Sequence, residues 1–348
     1  MAESITVNTP DGCYSIVIEP GLLQRADRLV SEFALDKQVA VVTNTTLAPL
    51  YGEKLTAMLP QAALVTMPDG EQFKTLATVA TVYGDLVRAR LDRGSTVIAL
   101  GGGVVGDTAG FAAATYMRGV RLVQIPTSLL AMVDSSVGGK VGVDLPDGKN
   151  LVGAFKQPDA VIIDPEILET LPQPEWRNGM AEVIKHGLLA DPVLLDTSLH
   201  NRERAAELVR RAVQVKVDVV QQDPYEKGIR AHLNLGHTFA HAIEQVTQYR
   251  WPHGEAVGVG LLAAAQLSSV LSMCDSGLPE MVEDILATTG LPRRLNGLDA
   301  DAIYAAMATD KKWQNGRSRF VLLRGIAQPE IVEDVPKAAV IDVLRRLK

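Results

Sequence analysis

Short apolar runs alternate with longer amphipathic segments through the first half of the chain, and this alternation constrains the fold more than any other feature. The runs occupy residues 39–43, 63–67, 96–100, 120–125 and 160–163, and segments with helical spacing occupy 22–33, 48–59 and 77–91. Such a pattern predicts a mostly parallel sheet covered by helices, because strands buried on both faces are continuously apolar. Two stretches at 5–7 and 14–18 flank Asp11-Gly12 and predict an N-terminal hairpin.

Strand-like runs become rare after residue 164. Helical spacing continues through 175–189, 202–221, 235–245, 256–273, 279–289 and 337–347, with one further strand expected at 319–323. Four prolines interrupt the chain at the change, at positions 158, 165, 172 and 174. The sequence therefore predicts an α/β domain over residues 1–163 and a mainly helical domain over 164–348.

Length and charge support two domains and exclude some functions. A chain of 348 residues exceeds the size at which a single hydrophobic core stops growing. The net charge of −7 argues against a general basic surface for nucleic acid. Cys13 and Cys274 are too far apart in sequence to form a disulfide framework or a thiolate cluster, and they fit a reducing cytosol.

One uncharged stretch, residues 256–273, is long enough to cross a bilayer. It contains Gln266, three serines and two glycines, so a central buried helix is the better interpretation. The first residues also lack the basic and apolar regions of a signal peptide. We therefore expect a cytoplasmic protein that binds neither membrane nor nucleic acid.

A glycine-rich turn, residues 101–107, follows the apolar run at 96–100 and precedes a helix expected at 108–115. Its sequence Gly-Gly-Gly-Val-Val-Gly-Asp matches Gly-x-Gly-x-x-Gly. Amides at a helix N-terminus can bind a pyrophosphate that glycines allow to approach closely. In a standard dinucleotide site the turn belongs to the first strand–helix unit, whereas here it follows several such units. A standard site also has an acidic residue at the end of a strand about 20 residues later, and this sequence has none there. Phosphate binding and a tight packing turn both remain open, and Asp107 is either a ligand contact or a helix cap.

A second glycine-rich segment runs from Asp134 to Lys140 and is followed by Lys149-Asn150. Its hydroxyls, carboxylate and lysines suit a phosphorylated or polyhydroxylated ligand. A solvated surface loop would have the same composition.

Histidines cluster in the second half of the chain. Three of the six, His237, His241 and His253, fall within 17 residues, and Glu182 lies on an otherwise largely apolar helix. Imidazole and carboxylate ligands suit zinc or a similar divalent ion. Spacing alone favours His237 and His241 as a ligand pair, since residues four apart share one helix face, with His253 as the third ligand.

Three further polar residues precede or accompany this cluster. Lys216 falls in line with valines on one helix face, and Arg230 and Asn234 stand at helical spacing before His237. A lysine on an apolar stripe reaches an anion or extends to solvent. Each of these residues is also compatible with an ordinary salt bridge or cap.

Together, several motifs in order along almost the whole chain resemble the 3-dehydroquinate synthase family of the sugar phosphate cyclase superfamily. They are Asp-Gly-Glu-Gln-Phe-Lys at 69–74, the glycine turn, Asp-Ser-Ser-Val-Gly-Gly-Lys at 134–140, Gly-Lys-Asn at 148–150, Met-Ala-Glu-Val-Ile-Lys at 180–185, Asn-Leu-Gly-His-Thr at 234–238 and His-Gly-Glu at 253–255. The resemblance implies a Rossmann-like NAD-binding domain, a helical metal- and substrate-binding domain, and a homodimer.

The resemblance also implies roles for individual residues. The divalent metal, zinc most often and cobalt as an alternative, would be held by Glu182, His237 and His253, which replaces the ligand pair favoured by spacing. Catalysis would involve His241, Glu226 and Lys140. NAD would contact Asn44, Asp69, Glu71, Lys74, Gly103, Val104, Val105, Gly106, Asp107, Thr127, Ser128 and Lys149. Substrate would meet Arg118 from the neighbouring subunit, Asp134, Lys140, Asn150, Asn178, Lys185, Lys216, Arg230, Asn234 and one of Lys311 and Lys312.

The reaction implied by the resemblance converts 3-deoxy-D-arabino-heptulosonate 7-phosphate to 3-dehydroquinate and phosphate, a step of the shikimate pathway to the aromatic amino acids. It combines transient oxidation by NAD, phosphate elimination, re-reduction and an aldol closure. Three alternatives are a cyclase that makes an antibiotic precursor, an alcohol dehydrogenase of the glycerol dehydrogenase type, and a non-enzymatic NAD-binding module. Net NADH production would distinguish the dehydrogenase from the cyclases.

Overall fold

A computed structural model describes residues 3–10, 12–308 and 318–348. The chain divides into two compact units, Met1–Leu171 and Pro172–Lys348. The strands are β1 Glu3–Thr9, β2 Gly12–Ile18, β3 Val39–Asn44, β4 Ala62–Met67, β5 Thr96–Gly101, β6 Arg121–Pro126, β7 Lys140–Leu145, β8 Gly148–Phe155, β9 Ala160–Ile163, β10 Arg319–Gly325 and β11 Gln328–Glu333. The helices are α1 Ala26–Phe33, α2 Glu53–Met58, α3 Leu76–Arg88, α4 Gly103–Thr115, α5 Gln173–Leu189, α6 Ala205–Gln222, α7 His237–Val246, α8 His253–Val270, α9 Gly277–Thr289, α10 Ala300–Ala308 and α11 Lys337–Arg346.

A seven-stranded sheet organises the first unit, in the order β1-β2-β9-β6-β5-β3-β4. Only the β1–β2 pair is antiparallel among these strands, so the predicted hairpin and mostly parallel sheet are confirmed. Alternate residues of β3 pack on opposite faces. Ala40 and Val42 join the core beside α3 and α4, whereas Val39 and Val41 join the core beside α1 and α2.

The connection between β4 and β5 creates a topological switch point. From β3 the chain continues to β4 on one side and then crosses to β5 on the other side. Ligands of open α/β sheets bind outside the carboxyl ends of the strands at such a point. Here those ends carry Asn44, at the end of β3, and the glycine turn that follows β5.

Helix α4 begins earlier than the sequence predicts. It starts at Gly103 instead of Thr108, so Asp107 lies within the helix and the interpretation of this residue as a cap is wrong. Gly102 holds the N-cap position with φ −73° and ψ −171°, values open to most residues. At the preceding position glycine is required by lack of space, because a Cβ on Gly101 would lie 2.5 Å from Cβ of Val105.

The hairpin β7–β8 was not predicted from the sequence. Lys140 begins β7, and Lys149 and Asn150 lie in β8, so these residues are not in loops. The strands contain several glycines and charged residues, and glycines 142 and 153 face each other. A Cβ on Gly142 would lie 2.6 Å from the Val152 carbonyl oxygen, so glycine is required at this position. With glycines and charged residues in both strands, the sequence lacks the apolar alternation by which a strand is recognised. The sequence also missed α10 and β11.

Residues 164–171 pack with the first unit, although the sequence placed the boundary between 163 and 164. The buried Asp164 carboxylate accepts hydrogen bonds from the amides of Gly21, Leu23 and Glu166, at 2.9, 3.0 and 3.1 Å. The prolines at 158 and 165 therefore lie within the first unit.

The second unit is mainly helical, with the β10–β11 hairpin packed against α8. Helix α8 is buried along most of its length. In the described part of the chain, no helix is both long and apolar enough to cross a bilayer. Glycines allow α7 and α8 to approach closely, since a Cβ on Gly260 would lie 2.2 Å from the Gly236 carbonyl oxygen.

We expect Gly260→Ala to destabilise the protein by about 1–3 kcal/mol, because the added methyl forces α7 and α8 apart. Gly258→Ala is the matched control on the same helix, where the new Cβ would meet Leu286 and Leu291 at 3.5 Å. Urea unfolding of both variants checks the prediction. Equal stabilities would contradict the packing argument.

Candidate functional site

A fully buried carboxylate, Glu182, lies in the second half of α5 among apolar neighbours. A buried charge is costly unless opposite charges or a metal compensate it. Three basic groups face it. Lys185, one turn along α5, forms an ion pair with Glu182, and His237 Nε2 and His253 Nε2 lie 3.5 and 3.6 Å from Glu182 Oε1.

Both histidines stand at helix N-termini, and contacts at Nδ1 orient their rings. His237 Nδ1 lies 3.1 Å from the Leu235 carbonyl oxygen, and His253 Nδ1 lies 3.5 Å from Glu244 Oε2. A proton on Nδ1 leaves the Nε2 lone pair available to a metal, and ligand histidines usually have this kind of second partner. The ligand atoms of Glu182, His237 and His253 all lie within 4.8 Å of one another. This donor set, called the metal group below, therefore fits a divalent ion such as zinc.

The electrostatics of the metal group favour positive charge. Burial alone would lower the pKa of His253, but interactions with Glu182 and Glu244 outweigh burial and raise it to about 9. Two carboxylates thus surround one imidazole. A divalent cation would also compensate the negative charge of these two carboxylates.

His241 lies beside the metal group. Its ring meets that of His237 edge to face, with centroids 5.6 Å apart, while the His237 and His253 centroids are 5.4 Å apart. The structure thus brings His253 and Glu182 together with His237, the combination that the resemblance implies.

Asn178 and Glu244 both contact the first turn of α8, where His253 lies. The Asn178 side-chain oxygen accepts a hydrogen bond from the Gly254 amide at the start of α8. A Cβ on Gly254 would lie 2.0 Å from the Asn178 carbonyl oxygen, so glycine is required next to His253. Glu244 was not predicted from the sequence, because it lies on α7 and its contact is with His253 on α8.

Three of the residues expected to bind substrate in the second unit are strongly buried, whereas Asn178 and Asn234 are partly buried. Lys185, Lys216 and Arg230 are 1, 7 and 2% exposed. Asn234 Nδ2 donates a hydrogen bond to Glu226 Oε1, at 3.1 Å. Buried cations of this kind are suited to an anionic ligand.

In the first unit, the predicted NAD contacts at the ends of β3 and β4 are linked to each other. Asn44 Nδ2 donates to Asp69 Oδ1, and Thr46 Oγ1 donates to Asp69 Oδ2, both at 2.6 Å. The Leu47 amide donates to Asn44 Oδ1, at 2.8 Å. The sequence analysis did not identify Thr46.

Lys74 connects a second group of predicted residues. Its Nζ donates to Asp107 Oδ2 at 2.5 Å and to Asn150 Oδ1 at 2.6 Å. Burial alone would lower the pKa of Lys74, but Asp107 and Glu71 outweigh burial and raise it. Asn150 has a positive φ of 53°, and its amide donates to Asp144 Oδ1 at 2.7 Å. Asp144 is a further residue that the sequence analysis missed.

Other predicted contacts surround the glycine turn. Lys149 Nζ lies 3.4 Å from Glu71 Oε1, and the Thr127 amide donates to the Gly101 carbonyl oxygen, at 3.0 Å. A Cβ on Gly102 would lie 3.4 Å from Ser128 Oγ, so the bare backbone at the start of α4 faces this group. The glycine turn, at the switch point of the sheet, therefore fits a dinucleotide pyrophosphate.

Among the other predicted residues of the first unit, Asp134 belongs to a turn that lies beside the glycine turn, since a Cβ on Gly103 would lie 3.3 Å from Ser135 Oγ. Arg118 is exposed at the opposite end of α4, whose 13 residues span about 20 Å. Asp134 is partly buried in the turn at 131–135, and Lys140 is exposed. Lys311 and Lys312 lie outside the described residues.

Comparison with known proteins identifies the family. The profile of the 3-dehydroquinate synthase N-terminal region matches residues 64–178, and that of the C-terminal region matches residues 179–313. The 3-dehydroquinate synthase of Nostoc punctiforme is 43% identical over 362 residues, covering 99% of each chain.

Solved structures with the same fold include two sugar phosphate cyclases. A 2-deoxy-scyllo-inosose synthase complexed with carbaglucose-6-phosphate, NAD⁺ and Co²⁺ has a TM-score of 0.89 at 25% identity, covering 99% of this chain and all of that one. The 2-epi-5-epi-valiolone synthase of Streptomyces hygroscopicus subsp. jinggangensis, with NAD⁺ and Zn²⁺, has a TM-score of 0.88 at 30% identity over 96% of both chains. Because the family profiles and the full-length relative agree, the chain belongs to the 3-dehydroquinate synthase family.

Proposed function

We propose that this protein converts 3-deoxy-D-arabino-heptulosonate 7-phosphate to 3-dehydroquinate and phosphate. The observation that carries the proposal is the metal group, a buried glutamate with two oriented imidazoles, in a chain that matches a 3-dehydroquinate synthase over 99% of its length. The two cyclases of known structure described above share less sequence with this chain, 25 and 30%.

The proposed cofactors are NAD and one divalent ion, zinc first and cobalt second, and the support is that the two cyclase structures contain NAD⁺ with Co²⁺ or Zn²⁺. When bound, they would supply a reversible oxidation of a substrate alcohol and a Lewis acid for its oxygen. Glu182, His237 and His253 would hold the ion. The glycine turn, with the Asn44–Asp69 pair and Lys74, would hold NAD.

Other residues position the substrate and move protons. Lys216 and Arg230 would bind anionic groups of the substrate without competition from water, because both are buried. Lys140, Asn150 and the neighbouring subunit's copy of Arg118 would hold the phosphate as it leaves. His241 and Glu226 would transfer protons to and from substrate oxygens.

We propose that the protein is a homodimer that acts in the cytoplasm. The support for the dimer is the position of Arg118, exposed at the far end of α4 from the glycine turn and held at a positive φ of 68°. Because Arg118 is exposed and distant from the glycine turn of its own chain, its charged side chain is available to contact a neighbouring subunit.

The activity test is phosphate release from 3-deoxy-D-arabino-heptulosonate 7-phosphate with zinc and trace NAD. We expect phosphate to exceed the NAD present many times over, without accumulation of NADH, because the cofactor is regenerated in each turnover. Absorbance at the NADH band and an assay of dehydroquinate complete the measurement. NADH accumulation with simple alcohols would instead indicate a dehydrogenase.

The metal ligands are tested by metal content after dialysis. Glu182→Gln and His253→Ala should lose the bound ion, whereas His241→Ala should keep it and lose about 10²–10⁴-fold in turnover, the usual contribution of a general acid or base. Metal loss in His241→Ala would instead support the ligand pair favoured by sequence spacing.

Glu244→Gln should weaken metal binding by about 10–100-fold, because loss of the carboxylate behind a ligand histidine has effects of this size. The measurement is competition for zinc with a chelator of known affinity. Glu255→Gln, on the first turn of α8, is the control. Equal affinities in the two variants would exclude a supporting role for Glu244.

A further inference from the structure

The carboxylate of Asp223, the residue after α6, organises the segment that leads toward α7. Oδ1 accepts a hydrogen bond from the Lys227 amide at 2.8 Å. Oδ2 accepts from the amides of Gly228 and Arg230, at 2.6 and 3.1 Å. The residue is 9% exposed. One buried carboxylate therefore satisfies three backbone donors within eight residues, and these bonds fix the path of the chain.

The same segment presents groups that the proposed function needs. Glu226 has a positive φ of 57°, which is rare for a residue with a side chain. The Arg230 guanidinium donates to the Pro224 carbonyl oxygen, and Asn234 Nδ2 donates to Glu226 Oε1. Glu226 is thus held through its amide, which donates to the Asp223 carbonyl oxygen at 3.4 Å, and through its side chain by Asn234.

The charge of Asp223 suits this task. Burial alone would raise the pKa of this carboxyl, but the three amide donors and Arg230 outweigh burial and lower it. The ionised carboxylate offers lone pairs to all three donors, whereas an amide side chain in its place would turn a donor toward at least one of them.

We propose that Asp223 is a positioning residue for the reaction, which sets the backbone so that Glu226 and Arg230 face the substrate in a fixed geometry. The inference rests on the proposed function. Asp223 touches neither the reacting atoms nor the metal group and acts through these two residues. The segment is preorganised before substrate binds, so the cost of ordering it is met on folding.

The test compares Asp223→Asn with Asp164→Asn. Asp164 is the matched control, because it is a buried aspartate that also accepts three backbone amides but belongs to the other unit. We expect both variants to lose stability. Only Asp223→Asn should lose about 10–100-fold in kcat/KM, with a raised KM and a lowered kcat, since small misplacements of active groups have effects of this size.

Two independent readouts accompany the kinetics. Metal content should stay the same in Asp223→Asn, and amide hydrogen exchange should accelerate at residues 227, 228 and 230. If Asp223→Asn does not accumulate, Asp223→Ser provides the same comparison, because its single oxygen cannot serve all three amides. An unchanged kcat/KM in the folded variant, or an equal loss in Asp164→Asn, would overturn the inference. A wild-type protein that releases no phosphate would overturn the proposed function itself.

Discussion

The second unit depends on the compensation of one buried charge, the carboxylate of Glu182. An ionised group at full burial costs several kcal/mol unless partners replace its water shell. Lys185 on the same helix and the histidines at the starts of α7 and α8 provide those partners. Helices α7 and α8 can reach Glu182 together because Gly260 lets them approach closely and Gly254 lets α8 lie against Asn178. The packing of three helices and the donor set for a cation are therefore one arrangement.

Backbone strain marks three of the residues proposed to contact substrate or to transfer protons. Arg118, Asn150 and Glu226 all have positive φ values, and such residues cost about 1–3 kcal/mol each when the surroundings do not favour the conformation. At two of them a nearby aspartate accepts backbone amides: Asp144 binds the Asn150 amide, and Asp223 binds amides just after Glu226. Strain held in this way would keep the proposed active groups in one conformation, and such preorganisation favours catalysis.

Periodicity predicted the parallel sheet and the helical second half, because buried strands and amphipathic helices have distinct patterns. It could not reveal β7–β8, where glycines 142 and 153 meet in the pair and charged residues replace the expected alternation. Spacing within α7 grouped His237 with His241, since sequence distance contains no information on how α5 and α8 cross that helix. Asp144, Asp223 and Glu244 were missed for the same reason: their roles lie in contacts with backbone or with other elements. The family resemblance gave the combination of Glu182, His237 and His253 that local pattern could not.

The most direct test of this account is X-ray absorption spectroscopy at the zinc edge of the metal-loaded protein. If Glu182, His237 and His253 hold the ion, the protein contributes two imidazole nitrogens and one carboxylate oxygen, with bond lengths of about 2.0–2.2 Å. A first shell with three imidazoles, or one that contains sulfur, would contradict the central claim that Glu182, His237 and His253 hold the ion.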